Sequence, residues 1–301
     1  MKKKVYSPLV SNSNETKLIV TFSSRTIISN YEKLGMDVHR FFDSDSISLY
    51  KCLKTNYRFY HPYNIIGDAD FYKELSLNRI NYYSERWEHK QALKIINKKD
   101  KVLEIGSGFG IFLKMLKSKG IIGTGLELNP LAVTTCVLDN LDVKEILIND
   151  LAENYKCHYD VVCFFQVLEH ITNVHDFIQS SLDTLKIGGT LIIGVPNNNP
   201  YLFRHDKFHT LNLPPHHAGL WNKKSLKALQ NIFPLKMESL IYEPIHLTYD
   251  YFIDVQLKAS KNIIEKSCIK ILKKYAPKLL KKVICKFYNG RNILAVYKKI
   301  G

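Results

Sequence analysis

Nowhere does the chain run apolar for the roughly 18 residues a membrane-crossing helix needs, so no transmembrane segment is expected. The start, MKKKVYSPLVSNSN, has a basic tip with no apolar stretch behind it and does not read as a secretory signal. Cysteine is sparse. Cys52, Cys136, Cys157, Cys163, Cys268 and Cys285 are scattered, with no CxxC pair. That pattern argues against a disulfide scaffold or a zinc site and fits reduced thiols in the cytoplasm. Acid is scarce near the C-terminus. From residue 256 onward thirteen Lys and Arg stand against one acid, Glu265, so twelve of the fifteen excess positive charges lie there. The rest is close to balanced, so a partner recognised by charge meets the tail.

What is present suffices for a sizeable core: 301 residues, 46% of them hydrophobic. Residues 1–67 read as a small N-terminal region. In it Thr16 to Phe22 is a strand and Ile47 to Pro62 a β-hairpin, with Lys54-Thr55-Asn56 near the middle. Residues 68–97 read as helical. From Lys101 the pattern alternates between strand and helix. Strands are expected at KVLEIG, IIGTGLEL, VKEILIND, DVVCFFQV and, after Gly188-Gly189, TLIIGVP. MESLIYE and NILAVYK are late strands, separated by a long, basic, helical insertion at 250–289. The expectation is an α/β fold: a Rossmann-like, mostly parallel seven-stranded sheet with helices on both faces, filling residues 68–301.

The stretch KVLEIGSGFG, Lys101 to Gly110, places Glu104 in the first strand of that sheet and glycines at 106, 108 and 110 in its exit loop. In such sheets ligands sit beyond the carboxyl ends of the strands. Glycines there let the backbone approach a ligand. A dinucleotide site wants G-x-G-x-x-G, but Ile111 stands where the last glycine is needed. Glu104 would also repel a pyrophosphate. It suits a ligand carrying positive charge.

Here the chain resembles the class I S-adenosylmethionine-dependent methyltransferases, whose first motif, E/D-x-G-x-G-x-G, is matched by Glu104, Gly106, Gly108 and Gly110. The resemblance implies S-adenosylmethionine as cofactor. It implies contacts from Ser107 in the same loop, from Glu127 and Leu128 after the second strand, and from Asp150 and Leu151 after the third. Glu127 would bind the ribose hydroxyls, and Asp150 the adenine amino group, unless it only caps a helix. In FFQVLEHI, Gln166 would face the methionine part. Tyr83 and Arg86, before the first strand, would cover the cofactor, or belong to an ordinary amphipathic helix. More narrowly, YKCLKTNYRFYHP, IGDADFY, YYSERWEHKQAL and NLPPHHAGLWNKKSLKAL look like methyltransferases of bacterial surface-polysaccharide clusters. Some of these carry a zinc-binding CxxC knuckle in the N-terminal hairpin. Here Thr55 stands three residues after Cys52, and no metal is expected.

A sugar hydroxyl accepting a methyl group needs a partner for its proton. The loop from Pro196 to Trp221 offers His205, His209, His216 and His217, with Trp221 either stacking on a sugar or anchoring the loop. His216, His217 and, after the fourth strand, His170 are the candidate bases. The expected acceptor is a small molecule or glycan. Nucleic acid is disfavoured because the charge lies in the tail and no NPPY-type motif follows the fourth strand. The tail has two readings. Its helices lie on an anionic membrane, giving peripheral attachment at the inner face, or they cap the fold with a solvated lysine face.

Overall fold

The computed structural model describes residues 4–10, 14–78, 84–198 and 209–301. Its main sheet has seven strands: β4 (Lys101–Ile105), β5 (Ile122–Leu126), β6 (Asp142–Lys144), β7 (Tyr159–Phe165), β8 (Leu185–Pro196), β10 (Leu235–Pro244) and β11 (Asn289–Lys299). They lie in the order β10-β11-β8-β7-β4-β5-β6. Strands β8, β7, β4, β5 and β6 are parallel neighbours, and β11 runs antiparallel to both β8 and β10. The chain starts at β4, winds outward through β5 and β6, then returns to the other side of β4 with β7. The order therefore reverses between β4 and β7, where an open α/β sheet forms a crevice.

Helices α3 (Trp87–Ala92), α4 (Ile111–Ser118), α5 (Pro130–Leu138), α6 (Ile148–Asn154) and α7 (Val174–Thr184) accompany these strands. Two apolar clusters pack against this sheet. Phe112, Leu113 and Leu116 of α4 join one; Ile148 and Leu151 of α6, and Phe177 and Ile178 of α7, join the other.

The expected strand VKEILIND is mostly not a strand. Pairing stops at Lys144, and α6 begins at Ile148. The reason is a period of helical length: Ile148, Leu151 and Ala152 are buried together, while Leu147 and Asn149 face out. Strand β8 also starts earlier than the glycine pair suggests. Leu185 pairs with Tyr159 and Thr190 with Val161, and Gly188 accommodates the irregularity at φ +75°.

A second sheet has four strands in the order β1-β2-β3-β9: β1 (Thr16–Ser23), β2 (Ser46–Cys52), β3 (Arg58–His61) and β9 (Gly219–Leu220). The fourth comes from the far end of the His-rich loop. Phe59 pairs with Gly219 and Arg58 with Leu220. This non-local pairing fastens that loop to the N-terminal region. Trp221 is fully buried, 4.4 Å from Tyr57 between ring centroids, and its Nε1 donates to Leu168 O at 3.4 Å. It anchors the loop and offers no face to a sugar. Helix α8 (Lys223–Ala228) follows, capped by Asn222 and Ser225.

Between β10 and β11 run α9 (Tyr249–Ala259), α10 (Ile263–Tyr275) and α11 (Pro277–Phe287). Phe252 and Ile253 of α9 pack with Leu280 and Ile284 of α11. Helix α10 contributes no buried residue.

Candidate active site

Three glycines turn the chain out of β4 with positive φ: Gly106 at +74°, Gly108 at +52° and Gly110 at +70°. They serve different ends. The Gly106 and Ser107 amides donate to Leu126 O at 2.8 and 3.0 Å, folding the loop over the end of β5. A Cβ on Gly106 would lie 2.5 Å from Val167 Cγ2 at the β7 exit. Gly110 is the N-cap of α4, and a Cβ there would strike Leu141 at 2.4 Å and Cys136 at 2.9 Å. Its requirement is core packing. Ser107, within the loop, is buried.

Glu127, at the end of β5, locks the same loop. One carboxylate oxygen accepts from Gly108 N at 2.8 Å; the other accepts from Leu128 N and Asn129 N, both at 2.9 Å. Each oxygen of a carboxylate has more than one acceptor site, so capacity for hydroxyl donors remains. Leu128 is exposed beside it.

Glu104 is buried within β4. Burial raises its carboxyl well above the usual range, the nearby Glu127 adds to this, and Arg86 opposes it. At the β7 exit Gln166 adopts φ +57°, donates its amide to Gly194 O at 2.8 Å, and donates Nε2 to Glu88 Oε1 at 2.8 Å. Glu88, on α3, is fully buried, and burial pushes it up to about 7. Glu169, after β7, is pushed up to about 8 by the same cause. Arg86, the N-cap of α3, opposes the shift on all three acids. Glu88 escapes a motif reading because it sits among helix residues. Its signal is spacing: Glu88, Ala92 and Ile96 stand four apart on a stripe that is buried.

The loop that ends in β9 carries His216 and His217 onto the segment after β7. Ala218 N donates to Glu169 O at 2.8 Å. His170 Nδ1 lies 2.6 Å from His216 O and 3.2 Å from the Tyr72 hydroxyl. A carbonyl can only accept, so Nδ1 carries the proton and Nε2 the lone pair in the neutral ring. Burial lowers His170 to about 4, which keeps it neutral. His216 Nδ1 is fixed in the same way by Leu211 O at 2.8 Å. The His216 and His217 rings stack at 4.5 Å, and both residues are buried. Tyr72, from α2 (Ala69–Asn78), closes the IGDADFY stretch and is a neighbour to which the sequence assigns no role.

The structure thus groups Arg86, Glu88, Glu104, Gln166, Glu169 and the three histidines around the ends of β4 and β7, with Glu127 joining through the glycine loop. Asp150 is exposed on the first turn of α6, not on a strand exit. Leu151 is buried in the core cluster with Ile148. His209 bonds to the Tyr251 hydroxyl at 3.0 Å. Tyr83 and His205 lie outside the described residues.

The donor set can be tested against the cofactor implied by the glycine motif. Oε2 of Glu88, Glu104 and Glu169 is buried in each case, with no hydrogen-bond partner among the described residues. Buried, under-satisfied carboxyls are costly unless something positive meets them. They fit a ligand with an ammonium and a sulfonium, and they fit a pyrophosphate poorly.

Comparison with known proteins agrees. Residues 78–235, about half of the chain, match a family described as a methyltransferase domain. The chain is similar to the ubiquinone biosynthesis O-methyltransferase of Dechloromonas aromatica (strain RCB). Identity is 26% over 182 residues, covering 53% of this chain and 75% of that protein. To the protein of the same description from Pseudomonas fluorescens (strain Pf0-1) it is 27% identical over 204 residues, covering 60% and 81%. In fold it is similar to a chain of the Haloferax volcanii complex between the Trm112 methyltransferase activator and a methyltransferase. There the TM-score is 0.51 at 18% identity, covering 71% of this chain and 90% of that one.

Proposed function

The chain belongs to the methyltransferase-domain family and is an S-adenosylmethionine-dependent methyltransferase; from that premise we propose that its acceptor is a hydroxyl, on a sugar of a surface glycan or of its nucleotide- or lipid-linked precursor. The observation that carries the hydroxyl is the neutral imidazole cluster at the β7 exit. A hydroxyl must lose a proton as its oxygen takes the methyl group, and His170 holds Nε2 as a lone-pair nitrogen. The sugar is supported by the sequence likeness of the PPHH loop and the N-terminal hairpin to polysaccharide-cluster enzymes.

Bound, the cofactor supplies a methyl group on a sulfonium, already activated as a leaving group. Glu104 is the residue to meet its ammonium, Glu127 its ribose hydroxyls, Arg86 its carboxylate and Gln166 its methionine chain. The buried carboxyls and fixed loop amides are in place beforehand, so the chain contributes position rather than rearrangement. Release of S-adenosylhomocysteine tests the acceptor. Turnover is expected with nucleotide sugars or glycan fragments. Turnover only with intermediates of ubiquinone biosynthesis, the process in the relatives' descriptions, would move the acceptor away from sugars. Turnover only with RNA would overturn the hydroxyl-sugar reading.

The basic insertion supports a second part of the proposal, peripheral contact with an anionic membrane. On α10 and α11 Ile263, Ile264, Ile271, Tyr275, Val283 and Phe287 are exposed. Lysines at 266, 270, 273, 274, 278, 281, 282 and 286 run between them. Among the described residues no helix is long and apolar enough to cross a membrane, so the contact is with the surface. The full-length protein should sediment with phosphatidylglycerol vesicles and release as salt rises, at about 1 kcal/mol per basic residue near the surface. Lys270→Glu with Lys274→Glu should weaken binding by about 30-fold or more, two such contributions lost. Equal sedimentation of the variant and the original chain would refute the contact.

A further inference from the structure

We propose that His170, His216 and His217 form a site for one divalent cation of the nitrogen-preferring class, zinc among them. One ring nitrogen from each residue lies within 4.8 Å of the others. Zinc binds imidazole nitrogen at about 2.0–2.1 Å in tetrahedral geometry, which sets coordinated nitrogens roughly 3.3 Å apart. Binding would therefore draw the rings inward from the 4.8 Å spread.

The surroundings match what metal-bound histidines require. Such rings usually give their second N–H to a carbonyl or carboxylate, which fixes the tautomer and aims the other nitrogen. His170 gives Nδ1–H to His216 O, and His216 gives Nδ1–H to Leu211 O. Both therefore present Nε2. The backbone is held from two sides, by Ala218 N on Glu169 O and by the β9 pairing with β3. The three rings come from two separate chain segments, so their meeting belongs to the tertiary fold.

Three nitrogen ligands leave a fourth position open, as in catalytic zinc sites. Glu169 stands beside it, with Oε1 3.9 Å from His170 Nε2. With a cation bound, His170 Nε2 is a ligand rather than the base; the cation would hold and acidify the acceptor hydroxyl, whose proton would pass to solvent. The absence of a CxxC pair excludes a thiolate knuckle but says nothing about a site built from imidazole. The binding claim rests on the cluster alone and stands or falls apart from the identity of the acceptor.

The test uses the full chain, stripped with a chelator, dialysed and titrated with zinc chloride by calorimetry. One equivalent is expected to bind. His216→Asn and His217→Asn should each weaken binding at least about 100-fold, with circular dichroism reporting that the variants are folded. No binding by the original chain, or unchanged binding in the variants, would overturn the site. The exposed thiols Cys157, Cys268 and Cys285 are the competing ligands. Cobalt(II) on the unaltered chain covers the case in which a variant does not fold. Ligand-field bands of a nitrogen-bound tetrahedral ion support the proposal. A thiolate charge-transfer band, or no such bands, contradicts it. Turnover lost on chelation and restored by zinc would assign the cation to catalysis.

Discussion

Gly106→Val is expected to abolish S-adenosylhomocysteine binding while the protein stays folded. A non-glycine residue at φ +74° costs about 1–2 kcal/mol. The Cβ would also meet Val167 Cγ2 at 2.5 Å, forcing the loop and the β7 exit apart. The loop holds Gly108 N on Glu127, so its displacement also removes the ribose acid from its place. Calorimetry should show affinity reduced by about 100-fold or more, equivalent to a loss of roughly 2.7 kcal/mol. Far-ultraviolet circular dichroism should be unchanged. Gly110→Val is the informative contrast. Its Cβ meets Leu141 and Cys136 in the core, so it should lower thermal stability first and binding only as a consequence. If Gly106→Val binds like the original chain, the glycine loop is not the cofactor site.

His170→Ala is expected to lower turnover by about 100-fold or more with S-adenosylhomocysteine affinity intact, the usual magnitude for a positioned base. His170 is the one of the three rings that sits on the segment leaving β7, beside Gln166. His217→Ala should have a similar effect, because the stacked pair and His170 form one packed group. Single-turnover kinetics separate the step from product release. Full activity in both variants would mean that position alone carries the transfer. Loss of activity in the loop variants but not in His170→Ala would assign the proton to the PPHH segment.

The parts of this site that could be read from the sequence are the local ones. Glu104 and the glycine loop are adjacent in the chain, and the acid at the end of the next strand follows at a spacing the strand–helix alternation sets. The helical insertion was legible for the same reason, because lysines and apolar residues alternate at helical period. What could not be read depends on distant partners. Trp221 looks like a sugar platform until Tyr57, far away in the chain, is seen to cover it. The run ILI in VKEILIND has the composition of a strand, but Ile148 is buried one turn before Leu151, Ile146 packs only partly against the core and Leu147 is exposed. The meeting of His170 with His216 and His217 requires the β9 pairing, a two-residue strand with no sequence signature of its own. Arg86 is close to the acids of three different elements, a grouping that no local pattern encodes.

The most direct measurement is calorimetry of the unaltered chain with S-adenosylhomocysteine and, separately, with NAD. Binding of S-adenosylhomocysteine at one site, with no heat from NAD, is the predicted result, since Glu104 and its neighbours leave buried carboxyl oxygens that suit a cationic ligand and would repel a pyrophosphate. Heat from NAD with no response to S-adenosylhomocysteine would contradict the cofactor assignment, and with it every role given to the residues around β4.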